Sequence, residues 1–151
     1  MKTFLSIVAV LIAFTTTVCA EEFEKTKIVV TEVVDGDTID AVILEEERFV
    51  TIRFADIDCP EYSKKSGRLK KQLKQFNKSE DEILKLGKSA KEKLKYILRK
   101  YEKNIWLQET PEKVCKNNND RLVGVVYAGD INLNEYMLKN ASCIEYKCSE
   151  E

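Results

Sequence analysis

Four charged residues carry the chemistry this chain can be expected to do: Asp37, Arg53, Asp58 and Glu61. Two carboxylates brought together repel unless a proton or a cation resolves the conflict, and Ca²⁺ is a hard cation that takes such oxygen ligands. A guanidinium stays charged at any relevant pH, and its planar fork binds two oxygens of a carboxylate or a phosphate. The chain has no histidine, so a proton acceptor must be a carboxylate, thiolate, lysine or tyrosine, and Ser-His triads and His-ligated zinc are excluded. An EF-hand loop starting at Asp35 fails as well. Asp37 and Glu46 fit its third and twelfth positions, but Ile39 fills the fifth and Asp40 stands where glycine is required. Singly, three of them also have an ordinary reading: Asp37 supports a turn, and Arg53 and Asp58 form a structural ion pair; Arg121, farther along the chain before an apolar run, reads alone as a solvated strand end.

These residues depend on the elements that hold them. Ile28 to Val34 is β-branched and apolar, reads as a strand, and runs into the hairpin signal Asp35-Gly36. Thr38 to Leu44 places Ile39, Ala41 and Ile43 on one face; the turn Glu45-Glu46-Glu47 leads to a third strand from Arg48 to about Asp56. Antiparallel neighbours in this meander bring Asp37, at the start of the second strand, to the exit of the third, near Asp58. Arg53 and Asp58 are five positions apart and would point to opposite faces of a regular strand. They meet only if the strand bends, bulges or ends before Asp58. Pro60 supports an ending, since it holds Cys59 extended and cannot donate to a ladder.

A helix is expected next. Ser79 with Glu82 forms a capping box, and Ile83, Leu86, Ala90, Leu94, Ile97 and Tyr101 recur at steps of three or four. Gly87 leaves one long helix or two stacked short ones open. Asn104 to Gln108 and Leu122 to Tyr127 read as fourth and fifth strands, and Asn132 with Glu135 caps a short helix through Leu138. Five strands interrupted by a helix suit an α+β fold, a five-stranded barrel of the OB type with two to three helices.

With 151 residues the chain suffices for one domain, and 44% apolar against 34% charged residues gives a modest core under an ionic surface. The formal charge of -1 conceals a sorted distribution. Between Tyr62 and Lys103 stand 15 basic and 5 acidic residues, a net of +10, and residues 21–61 and 104–151 together carry -12. Such a basic middle attracts a polyanion, although lysines on the stretch from Lys85 to Lys103 equally fit a solvated helix face. Met1-Lys2, the apolar run Phe4 to Phe14 and the exit Val18-Cys19-Ala20 read as a secretory signal covering residues 1–20, against the alternatives of a membrane anchor or a lipoprotein attached at Cys19. The mature domain, 21–151, then keeps Cys59, Cys115, Cys143 and Cys148. Four cysteines in an exported chain point to two disulfides in any of three pairings, and zinc is the weaker reading because no pair is spaced CxxC.

Val34-Asp35-Gly36-Asp37-Thr38, then Ile52-Arg53-Phe54-Ala55-Asp56-Ile57-Asp58-Cys59-Pro60-Glu61, then Asp120-Arg121 before the fifth strand, together resemble the staphylococcal nuclease (thermonuclease-like) family; Asn134-Glu135 before Met137-Leu138 fits that family's last helix. The resemblance runs from about Lys27 to Leu138. It implies an OB-fold nuclease that hydrolyses phosphodiester bonds of DNA and/or RNA with Ca²⁺. Carried over by position, Asp37 and Asp58 bind calcium with the backbone carbonyl of Cys59, Glu61 is the general base for water, and Arg53 and Arg121 hold the phosphate. The expected protein is a monomer, secreted or periplasmic, with no membrane association once mature.

The chain also departs from that pattern. The segment after Glu61 is longer than usual, a basic insertion around 62–86. Its Lys64, Lys65, Arg68, Lys70 and Lys71 are expected to bind the nucleic-acid backbone. Asn117-Asn118-Asn119-Asp120 precedes Arg121 where the family has a tyrosine and a glycine, so a stacking aromatic is missing there, while Tyr146 offers one in the tail. Cys59 lies inside the expected metal loop, and a disulfide from it would make activity sensitive to reductant. The competing reading is a non-catalytic OB module that binds nucleic acid or a protein partner in the envelope. Such a module needs neither the paired aspartates nor Glu61.

Overall fold

The computed structural model describes residues 24–110 and 121–146. The expected signal segment, Cys115, Cys148 and the loop Asn117–Asp120 lie outside the described residues. The elements run β1 (Lys25–Val33), β2 (Thr38–Ile43), β3 (Arg48–Phe54), β4 (Ile57–Asp58), α1 (Leu69–Gln75), α2 (Glu80–Lys100), β5 (Ile105–Glu109), β6 (Leu122–Ala128), β7 (Ile131–Asn132), α3 (Leu133–Asn140) and β8 (Ile144–Glu145). The main sheet has the order β3-β2-β1-β5-β6-β7, and parallel pairing of β3 with β6 closes its first five strands into an OB-type barrel. Among the described residues no helix is long and apolar enough to cross a membrane.

The alternation expected for the second strand holds: Ile39, Ala41 and Ile43 are buried with Ile28, Ile52, Phe54, Leu107 and Val126 inside the barrel. Asn134 stitches the closure. Its amide nitrogen donates to the carbonyls of Ala55 (2.9 Å) and Gly124 (3.2 Å), and its oxygen accepts from the Val126 N–H (3.1 Å).

The third strand stops at Phe54, two residues short of the expected end at about Asp56. Asp56 takes φ 58°, a left-handed conformation that aspartate tolerates, and turns the chain into β4. This bend answers the problem of spacing, because it brings Asp58 back to the face that Arg53 occupies. β4 is held by two antiparallel pairs with β8, Ile57 with Glu145 and Asp58 with Ile144. A disulfide joins Cys59 to Cys143 across the same junction.

Helix α2 is continuous, with the expected capping box at Ser79 and Glu82, and it buries Ile83, Leu84, Gly87, Ala90, Leu94, Ile97 and Leu98 against the barrel and α1. Gly87 does not divide it. A Cβ there would lie 2.4 Å from the carbonyl carbon and oxygen of Glu61, so the missing side chain lets α2 rest on the segment carrying Glu61. Gly36 plays the same part in the β1–β2 turn, where a Cβ would sit 2.8 Å from that of Cys59 and 2.9 Å from that of Ala90.

Replacing Gly87 by alanine is therefore expected to destabilise. Helix propensity favours alanine by about 1 kcal/mol, but the added methyl meets backbone that cannot rotate away, and overpacking of this kind costs about 1–3 kcal/mol. Thermal denaturation of Gly87→Ala should show a Tm several degrees lower; a raised Tm would mean that α2 can move off Pro60 and Glu61 freely.

Candidate active site

The site lies at the end of the barrel where the β1–β2 turn, the exit of β3, β4 and α1 converge. Register places Thr38 opposite Arg53, and the Phe54 N–H donates to the Asp37 carbonyl at 2.8 Å. Asp37 and Asp58 are both buried and face one guanidinium, that of Arg53. Arg53 pairs with Asp37 Oδ1, donates from Nη2 to Asp58 Oδ1 (3.2 Å) and to the Ile57 carbonyl (2.8 Å), and is itself only 6% exposed. Asp37 also accepts from the Cys59 N–H (2.5 Å) and the Thr38 hydroxyl (3.1 Å). A buried charge is tolerated only when paired and hydrogen-bonded. Arg53 meets that condition by holding both aspartates.

The acids outnumber the cations around Arg53. Burial works against the Arg53 charge, but Asp37, Asp58 and Asp35 outweigh it and hold the guanidinium above its ordinary value. Burial pushes the Asp58 carboxyl up, Arg68 and Arg53 pull it back, and Asp37 raises it further. Glu61 is pushed up by burial first, with the Ser66 hydroxyl holding it back and Asp37 adding to the rise. Asp35, absent from the expected site, is pushed up to about 7 by burial and by Asp37, whose N–H its Oδ1 accepts at 3.0 Å.

Among the described residues two buried side-chain atoms have no hydrogen-bond partner, Asp58 Oδ2 and Arg121 Nε. Leaving such groups unmet costs about 1–3 kcal/mol each, more when charged. Their needs are opposite: the first is the free oxygen of a carboxylate whose other oxygen is paired with Arg53 and Arg68, the second a cationic donor without an acceptor. Arg121, at the foot of β6, has its charge disfavoured by burial and then by Arg53 and Arg68. It therefore shares the electrostatic field of the cluster.

Among the described residues no three acidic, cysteine or histidine side chains form a cage for a metal ion. The expected donors are two carboxylates and one backbone carbonyl, hard oxygens of the kind Ca²⁺ takes, with water completing the shell. The unmatched Asp58 Oδ2 and the excess of buried acid fit a hard cation here. The Cys59 carbonyl already accepts one hydrogen bond, from Gln72 Nε2 at 2.9 Å, and a carbonyl oxygen has a second lone pair to offer.

The basic residues of the segment 62–86 separate into two groups. Arg68, expected with the lysines to bind the nucleic-acid backbone, reaches into the site, its Nη2 2.8 Å from Asp58 Oδ1 and its guanidinium 5.5 Å from the Tyr146 ring centre. Lys64 pairs with Glu80 (2.8 Å) at the start of α2. Lys65, Lys70 and Lys71 are exposed, and the Lys71 ammonium lies 5.7 Å from the Tyr146 ring centre. Arg68, Gln72 and Asp35 are the residues of the site that motif spacing did not assign to it.

The family model for staphylococcal nuclease homologues matches residues 51–151, about two thirds of the chain. The matched span includes Arg53, Asp58, Glu61 and Arg121 and begins after the turn that carries Asp35 and Asp37. No curated protein matches the chain.

Proposed function

The chain belongs to the staphylococcal nuclease homologue family, and from that premise we propose that it is an exported, calcium-dependent nuclease hydrolysing phosphodiester bonds of DNA and/or RNA. The observation that carries this reading is the pair of opposite unmet groups, Asp58 Oδ2 and Arg121 Nε, each under the influence of Arg53, Arg68 and Asp37. A divalent cation and a phosphodiester are the two ligands that together satisfy them.

Each residue of the cluster has a part. Asp37, Asp58 and the Cys59 carbonyl would hold Ca²⁺, which when bound supplies positive charge against the phosphate oxygens. Glu61 takes the proton of the attacking water; with no histidine in the chain, a carboxylate pushed up by burial is the available base. Arg53 and Arg121 place positive charge where the equatorial phosphate oxygens gain negative charge, and so favour the transition state over the ground state. Arg53 is held rigidly by its two aspartates, so little reorganisation is needed when that charge develops.

The secretory reading of residues 1–20 agrees with the Cys59–Cys143 disulfide, a bond that persists in oxidising compartments. The direct test is hydrolysis of DNA and RNA with calcium and with chelator. Activity in calcium that disappears on chelation is expected; cleavage indifferent to chelation, or binding without cleavage, would replace this reading with that of a non-catalytic module.

The exposed lysines of the insertion are proposed to track the substrate backbone. Changing Lys64, Lys65, Lys70 and Lys71 together to glutamine should weaken nucleic-acid binding. It should also flatten the dependence of log Kd on log salt by about 1–2, since each phosphate contact on a single strand contributes about 0.7 to the slope. Anisotropy titrations at several salt concentrations measure this, and an unchanged slope would refute the role.

A further inference from the structure

Gln72 is fully buried although it is polar. It projects from α1, and both ends of its amide are used. Nε2 donates to the Cys59 carbonyl at 2.9 Å, and Oε1 accepts from the Glu61 N–H at 2.7 Å. Those two peptide groups flank Pro60, which has no N–H of its own to anchor the segment. One turn earlier on the same side of the site, Arg68 holds Asp58 Oδ1 at 2.8 Å. Residues of the insertion thus grip Asp58, Cys59 and Glu61 in succession.

We propose that Gln72 is a positioning residue of the hydrolytic site, fixing by its bridge from Cys59 to Glu61 where the calcium-binding carbonyl and the general base stand. This rests on the calcium-nuclease reading above. The chemistry of the amide makes the role asymmetric. Its donor end orients the Cys59 carbonyl and occupies only one of its lone pairs, while its acceptor end sets the backbone from which the Glu61 carboxylate projects. A basic surface helix whose purpose was only to attract phosphate would not need a buried neutral amide at its centre.

Two substitutions separate the ends. Gln72→Met keeps length and packing and removes both hydrogen bonds. Gln72→Glu keeps an acceptor for the Glu61 N–H but turns a carboxylate oxygen toward the Cys59 carbonyl and the Asp58 carboxylate, on which the Gln72 amide now acts favourably. Calcium affinity is read by calorimetry on the purified protein, independently of turnover, and kcat and KM are measured on a nucleic-acid substrate at saturating calcium. Partners that orient a metal ligand are typically worth about 10–100-fold in metal affinity or activity. Gln72→Met should therefore lower kcat by about tenfold or more and weaken calcium binding comparably, with KM little changed. Gln72→Glu should weaken calcium binding while retaining more of kcat than Gln72→Met.

Wild-type kcat and calcium affinity in a folded Gln72→Met protein would overturn the proposal and leave the nuclease reading intact. If Gln72→Met fails to fold, Gln72→Glu decides: unaltered calcium affinity and kcat in that variant overturn the proposal equally. A wild-type protein that neither binds calcium nor cleaves nucleic acid would overturn the nuclease reading itself, and the positioning role with it.

Discussion

Glu61→Gln is expected to lower kcat for calcium-supported phosphodiester hydrolysis by about 10²–10⁴-fold, the range that a positioned general base contributes, with little change in KM. Glutamine has the size of glutamate, and the Glu61 backbone stays tied to Gln72 and packed under Gly87, so the variant should fold as the wild type does. What it loses is the ability to take a proton. The Glu61 carboxyl shares its surroundings with Ser66 and Arg68, both of which favour the charged form, while burial and the neighbouring Asp37 disfavour it. The balance leaves it a stronger base than a free glutamate, beside Asp37 and Asp58, which are already committed to Arg53 and Arg68. The comparison is made on single turnovers with calcium saturating, and circular dichroism confirms the fold. Unchanged turnover would remove Glu61 from the mechanism and direct attention to Asp35, a carboxyl of the cluster raised by burial that no guanidinium pairs with among the described residues.

Most of the barrel and the four charged residues were legible because they are encoded locally. The alternation Ile39, Ala41, Ile43, the turn at Asp35-Gly36 and the capping box at Ser79 each act within a few residues. The helix stripe was broader than its period implied, with Leu84 and Leu98 buried and Leu86 only half-buried, because α2 faces both the barrel and α1. Gly87 looked like an interruption since its cause lies elsewhere in the chain, in the close approach of Glu61. The spacing of Arg53 and Asp58 requires that the strand bend, bulge or end before Asp58, but it does not point to the bend at Asp56, because left-handed φ at aspartate has no unique signature. Helix α1 is only seven residues long, and its buried positions Leu69 and Gln72 are too few to stand out among lysines. Gln72 itself was invisible: a neutral amide in a basic run carries no chemical signal until its two partners, 13 and 11 residues away, are seen beside it. Two-residue pairings such as β4 with β8 leave no pattern in a sequence at all.

Reduction of the Cys59–Cys143 bond, or Cys143→Ser, is expected to lower Tm by about 12–20 °C. The bond spans 84 residues, and cross-links over loops of that size restrict the unfolded chain by about 4–5 kcal/mol; in a domain of this length each kcal/mol moves Tm by about 3–4 °C. The effect on activity should exceed what this loss of stability explains. Cys59 stands between Asp58 and Pro60, and apart from the disulfide the segment is tied to the tail by two β4–β8 pairs and the Tyr146 N–H to the Asp56 carbonyl (2.9 Å). So short a ladder cannot by itself fix the Cys59 carbonyl against the neighbouring carboxylates. At a temperature well below both midpoints, the reduced protein should therefore need about tenfold more calcium for half-maximal hydrolysis, with KM for nucleic acid little changed. Full activity at the wild-type calcium concentration would show instead that Gln72 and Arg68 suffice to hold the segment, and that the bond serves stability alone.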